Sequence, residues 1–254
     1  AQSAVRLLLM SAECDVNKVP YYGYSPLQAA CSKNHVECVR LLLSRVDCDL
    51  NKADFYGSTP LQAACSKNHV ECVRLLLSRP ECDVNKADNN GGKTPLLAAC
   101  SGNRVDCVRL LLSRADCHVN KPDYHFEWTP LRAACSKNYV DCVRLLLTRP
   151  ECDVNKAYVF GDTPLLAACY KNHVECVRLL LSRPECDLNK ADIYGSTPLQ
   201  AACMCNSVEC VRLLLSSEKC NVDEEETTLQ MAYEKGHMEC VRLWERRTAS
   251  VSAL

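Results

Sequence analysis

The chain has 254 residues, with 30 Lys plus Arg against 31 Asp plus Glu, so no charge excess steers it to nucleic acid or an anionic membrane. Its longest recurring apolar run is Leu-Leu-Leu, far short of a membrane span, and the first residues lack the charged and apolar regions of a secretory signal. The compositional oddity is 21 cysteines, which as free thiols point to a reducing compartment inside the cell, the cytoplasm or the nucleus.

Self-similarity organises everything that follows. Residues 1–24 read as a second helix with its "CDVN" loop, so the chain opens in mid-repeat, as an array cut at that end would. Ser25-Pro-Leu starts the first full copy, and Thr-Pro-Leu starts others at Thr59, Thr94, Thr129, Thr163 and Thr197. A final copy begins at Thr227 with Thr-Thr-Leu and runs to 254; its "VRLWERR" replaces "VRLLL", the more polar ending that a natural capping repeat needs. The whole chain reads as one domain, 1–254.

Each copy predicts two short helices and a long loop. Thr59 is a suitable N-cap, and Pro60 occupies the first helical position, where a missing N–H costs nothing. Leu61, Ala63, Ala64 and Cys65 give a small-residue face. Asn68 stands at the chain reversal because asparagine tolerates the left-handed conformation. Val70, Val73, Leu76 and Leu77 follow at helical spacing, and Pro80 helps to end that helix. "DVNKADFYG" then forms an extended finger back to the next start. Such a unit cannot bury its apolar face alone, so stacked copies must share a core.

The text "TPLQAACSKNHVECVRLLL…DVN…D…G" resembles the ankyrin repeat over Ala4 to about Trp244. The resemblance implies an all-α fold, an α-solenoid of helix-turn-helix units with β-turn fingers. It also implies a non-catalytic scaffold that binds a protein through its concave face and fingertips. An alternative is a regulatory or substrate-recognition array within a larger protein, such as a ubiquitin-ligase adaptor, channel or kinase. The period exceeds the usual one because the "SRPEC" loop is longer. The family's histidine after Thr-Pro-Leu is Gln28, Gln62, Leu97, Arg132, Leu166, Gln200 and Gln230 here, so glutamine must carry any hydrogen-bond ladder from that position. A leucine eight residues before Asn51, Asn85, Asn120, Asn155 and Asn189 looks like the sites of the asparaginyl hydroxylase that acts on this family.

Twenty of the cysteines are periodic, and their spacings within a repeat do not match zinc-ligand pairs. They read as small buried hydrophobes. Cys205 alone is off-pattern, the one candidate for a reactive thiol. "GGKT" at Gly91–Thr94 lacks the first glycine of a phosphate loop and starts a repeat instead. The histidines have no matched nucleophile or carboxylate pair. No enzyme activity, cofactor, metal or small-molecule substrate is expected.

Copies that differ mark where a partner is specified. Eleven of the 15 Phe, Trp and Tyr residues lie in the fingertips, and exposed aromatic surface favours interface roles. The most individual copies start at Thr94, Thr129 and Thr163. The predicted partner surface comprises Asn90, Lys93, Leu97, Tyr124, His125, Phe126, Trp128, Arg132, Tyr158 and Phe160. Tyr56 and Tyr194 recur, and read as scaffold.

Overall fold

The computed structural model describes residues 15–20, 23–222 and 226–252. Most of the opening partial repeat, residues 1–14 and 21–22, and part of the last finger, 223–225, lie outside the described residues. Fourteen helices and no strand are present among the described residues. They divide into two compact units, Ala1–Phe126 and Glu127–Leu254.

Unit 1 holds three helix pairs: α1 (Pro26–Ser32) with α2 (Val36–Leu43), α3 (Pro60–Ser66) with α4 (Val70–Leu77), and α5 (Pro95–Ser101) with α6 (Val105–Leu112). Unit 2 holds four: α7 (Pro130–Cys135) with α8 (Val140–Leu146), α9 (Pro164–Tyr170) with α10 (Val174–Leu181), α11 (Pro198–Met204) with α12 (Val208–Leu215), and α13 (Glu226–Glu234) with α14 (Met238–Ser252). Within each unit, first helices pack on first helices and second on second.

The helix starts follow the expected chemistry. The Ser25, Thr59, Thr94, Thr129, Thr163 and Thr197 hydroxyls each accept from the main-chain N–H three residues on, at 3.1–3.3 Å. Each such cap contributes about 1 kcal/mol. Proline follows every one of them. The chain reverses after the first helix through asparagine at positive φ: Asn34, Asn68, Asn103, Asn138, Asn172 and Asn206, all between 53° and 61°. In the last copy Gly236 takes this place at φ 74°.

The core is the shared seam between repeats. Leu61, Val73, Leu76, Leu96, Val108 and Leu111 are fully buried in unit 1, as are their counterparts Leu131, Val143, Leu146, Leu165, Val177 and Leu180 in unit 2. Trp244 is buried in α14 beside Val241, whereas Arg242, Glu245 and Arg246 are exposed.

Polar groups also cross each seam. His69 Nδ1 donates to the Cys31 carbonyl at 2.8 Å, and His173 Nδ1 to the Cys135 carbonyl at 2.8 Å, so these periodic histidines are structural. Asn51 Nδ2 donates to the Glu81 carbonyl while its Oδ1 accepts from the Asp83 N–H, both at 2.8 Å. Asn85, Asn155 and Asn189 repeat that double bridge one copy further on.

Replacing Asn51 by alanine removes both bonds and leaves two main-chain groups of the next repeat to find new partners. The expected loss is about 1–3 kcal/mol, read as a lower midpoint in urea unfolding, with Asn51→Asp less damaging because it keeps the acceptor.

Candidate functional site

The fingertips are built by an aspartate that folds the loop over itself. Asp54 Oδ1 accepts from the Tyr56 and Ser58 N–H groups at 2.9 Å, and Asp192 Oδ1 does the same for Tyr194 and Ser196. A residue at positive φ completes the turn: Gly57, Gly92, Gly161 and Gly195 lie between 71° and 83°. Glutamine on the preceding first helix ties the finger down. Gln28 Nε2 donates to Asp54 Oδ2 and the Ser58 carbonyl at 2.8 and 2.9 Å, and Gln62 Nε2 donates to Asp88 Oδ2 and the Lys93 carbonyl, both at 2.8 Å. Gln28 and Gln62 therefore carry such a tie, whereas the Gln200 side chain accepts from the Thr197 N–H instead.

In unit 1 the finger 122–126 keeps the aspartate, Asp123, whose Oδ1 accepts from the Phe126 N–H at 2.9 Å. Its rings lean on the double glycine of the preceding finger. The Tyr124 N–H donates to the Gly91 carbonyl at 2.7 Å, and a Cβ at Gly92 would collide with the Tyr124 ring. The His125 ring lies against Gly91, and His125 meets Phe126 edge to face. Tyr124 and Phe126 nevertheless remain 66% and 51% exposed. Asn90 and Lys93 are exposed as well, but Leu97 is buried and offers no surface. The apolar leucine in place of glutamine packs inward, where a side chain without a polar head belongs.

Unit 2 begins with the replacement of the turn glycine. Glu127 takes φ 56° where other fingers use glycine, a strain of about 1–2 kcal/mol for a residue with a Cβ. Beyond it, three exchanges among the copies occur together. Arg132 stands for glutamine, Tyr158 for the finger aspartate, and Asp162 for the finger serine. Arg132 Nη2 donates to Asp162 Oδ2 at 2.6 Å, restoring the tie that glutamine makes elsewhere. The guanidinium carbon lies 4.5 Å from the Trp128 ring centroid and 4.0 Å from that of Tyr158, a cation held against two aromatic faces. The Arg132 residue is only 5% exposed. Burial pushes the Asp162 carboxyl above the usual range, and the Arg132 guanidinium pulls it part of the way back.

Two expected contact residues thus sit inside: Arg132 is covered, and the half-buried Trp128 supports it. A long cation with a carboxylate to reach and rings to cover it is more stable packed than solvated alone. Tyr158 is half-buried for the same reason, and its neighbour Phe160, in edge contact at 5.3 Å, stays 42% exposed. Asp162 was missed by sequence reasoning, although its signal was present: "AYVFGDT" moves the acid of "ADIYGST" four places along. Tyr56 and Tyr194, read as scaffold, have exposed rings, Tyr194 at 78%; what recurs is the main-chain turn they occupy.

Cys205 is exposed, and partial burial still raises its thiol above the ordinary value, the opposite of a reactive thiolate. No group of three metal-ligating side chains occurs among the described residues, and no described helix is long and apolar enough to cross a membrane.

The family model for ankyrin repeats (three copies) matches residues 1–88, 80–158 and 147–225. The chain belongs to the ankyrin-repeat family. This ankyrin-repeat chain is similar in structure to the ankyrin repeat domain of Bcl-3, described as a unique member of the IkappaB protein family. The TM-score is 0.72 at 25% identity, over 84% of this chain and 91% of that one. The human ASB11 ankyrin repeat domain superposes with a TM-score of 0.69 at 24% identity, over 88% and 98% of the two chains. EF0377, an ankyrin repeat protein, gives 0.70 at 25%, over 76% and 98%. No curated protein matches the sequence.

Two substitutions test the geometry. Arg132→Ala removes the counter-ion of the half-buried Asp162 carboxylate and is expected to cost about 3 kcal/mol in thermal or chemical unfolding. Glu127→Gly relieves the left-handed strain and is expected to stabilise by about 1 kcal/mol in the same measurement.

Proposed function

We propose that this ankyrin-repeat chain is a protein-interaction module whose partner contacts are the exposed rings of the individual fingers. The supporting observation is the division of labour within those fingers. Asp123, Gly91, Gly92, Arg132, Asp162, Trp128 and Tyr158 hold the loops in place, while Tyr124, Phe126 and Phe160 present aromatic surface beyond what the packing uses. Rigid aromatic side chains on fixed loops lose little entropy on binding and dominate interface energetics. Asn90, Lys93 and His125 supply polar groups around the unit 1 rings. Arg132 contributes from beneath, by setting the finger rather than touching the partner.

The family is generally a non-catalytic interaction fold, which accords with this reading. Asn51, Asn85, Asn120, Asn155 and Asn189 are the proposed positions for hydroxylation. Four of them already use both side-chain groups to bridge repeats, so the added oxygen must be accommodated with both bonds kept.

Affinity capture with the wild type and with the Phe126→Ala/Phe160→Ala double variant tests the proposal. Capture of a specific protein is expected to fall by about tenfold or more, as loss of hot-spot rings worth 1–2 kcal/mol each predicts, at an unchanged melting temperature. Val46→Ala serves as the control, because Val46 is an exposed apolar residue in the loop after α2. Equal loss with Val46→Ala would reject the fingertips as the specific surface.

A further inference from the structure

Neighbouring fingers bond to each other through one main-chain contact. In unit 1 the Asn89 N–H donates to the Tyr56 carbonyl at 2.8 Å, and in unit 2 the Ile193 N–H donates to the Phe160 carbonyl at 3.0 Å. Both donors directly follow the finger aspartate, Asp88 or Asp192, and both acceptors directly precede the turn glycine, Gly57 or Gly161. Those glycines give the incoming chain its room. A Cβ at Gly57 would lie 2.7 Å from the Asn89 nitrogen, and one at Gly161 would lie 2.9 Å from the Asp192 Cα and the Ile193 nitrogen.

The aspartate turn explains why that N–H is the one offered. In the finger 192–196, Asp192 Oδ1 accepts from Tyr194 and Ser196, the Asp192 carbonyl accepts from Gly195, and the Ser196 carbonyl accepts from Asp192. Ile193 alone keeps an N–H to donate outside the turn. A loop led by aspartate is therefore a preformed single donor, and a tip carbonyl beside a glycine is its seat.

The same finger presents a seat of its own, and that seat is open. Tyr194 and Gly195 stand where Tyr56 with Gly57 and Phe160 with Gly161 stand. Among the described residues, however, the Tyr194 carbonyl accepts no hydrogen bond, and nothing lies within 4 Å of a Cβ at Gly195. The rings report the same difference. Tyr194 is 78% exposed, against 52% for Tyr56 and 42% for Phe160, whose tips each carry a neighbour. Exposed Ile193 extends this apolar surface. The next copy begins 30 residues after Thr197, where 34 separate Thr163 from Thr197, and its text contains no Asp-x-Tyr-Gly finger.

We infer that Tyr194 and Gly195 form a docking site for an exposed loop of another protein, folded by a leading aspartate as this chain's own fingers are. The first N–H after that aspartate donates to the Tyr194 carbonyl, the loop backbone rests on Gly195, and the loop covers the Tyr194 ring. Main-chain pairing of this kind supplies affinity while the flanking side chains supply selectivity. The donors of this chain at Asn89, Tyr124 and Ile193 are already used within it, so the loop comes from a different protein. The inference rests on the reading of the chain as an interaction module, and adds to it the main-chain chemistry of a partner at a tip other than that of Tyr124 and Phe126.

The probe is a cyclic peptide of this chain's residues 189–198, "NKADIYGSTP", titrated into the isotope-labelled chain and followed by NMR. Saturating shifts are expected at Ile193, Tyr194 and Gly195, including the Tyr194 carbonyl carbon, with a Kd of about 1 mM for one hydrogen bond and one covered ring. Methylating the isoleucine nitrogen of the peptide removes the donor and is expected to weaken binding about tenfold. Alanine in place of the peptide's aspartate, which releases the turn, is expected to do likewise. Equal binding by the N-methylated peptide would overturn the inference. So would equal shifts at Tyr56 and Gly57, whose seat is taken, or the absence of any saturable shift. Because the probe is a defined peptide, such a failure leaves the exposed-ring proposal standing, to be judged by the Phe126 and Phe160 variants.

Discussion

The asparagine that follows each Asp-Val or Asp-Leu pair gives one hydrogen to a carbonyl of the next repeat and takes one from its amide, so neighbouring copies complete each other's polar groups at this loop. The buried leucines and valines obey the same rule, because each seam is made of two half-cores. Stability in such a chain resides in the junctions between neighbours, and each junction is short in sequence. This dependence explains why the scaffold positions hardly vary: a change in one copy must suit a partner surface on another. It also explains why individuality is confined to the loop tips, which the junctions do not need.

Most of the scaffold is legible in the residues alone. Thr59 and Pro60 announce a helix start, Asn68 a left-handed reversal, and the period announces stacking; each works through a local preference that tertiary packing reinforces. The fingertips are less legible because their contacts run between copies. Gly91 and Gly92 look like loop flexibility until the Tyr124 and His125 rings lie on them. Leu97 and Arg132 look like variations of an exposed position, yet one is apolar enough and the other sufficiently covered by rings to turn inward. A spacing counted along one repeat cannot reveal a contact with the next.

The aromatic finger that interrupts the copied text has a double character. Its first two rings rest on a glycine pair that has no counterpart in the other fingers, which accounts for part of the ring density as packing. Phe126 meets the His125 ring and keeps about half its surface exposed, and Trp128 serves a guanidinium instead. Sequence individuality therefore mixes two kinds of residue, those that hold an unusual loop and those that the unusual loop displays. Exposure and hydrogen bonding separate them; copy-to-copy difference alone does not.

The exchange of glutamine, aspartate and serine for Arg132, Tyr158 and Asp162 has a consequence for inheritance. Near-identical tandem copies invite gain or loss of whole units by misaligned recombination, and most such events would rejoin like with like. A crossover that parted Arg132 from Asp162 would instead leave a largely covered ion without its counter-ion, at a cost of about 3 kcal/mol. The two copies that share this pair are thereby coupled, as are the fingers that seat Tyr124 on Gly92.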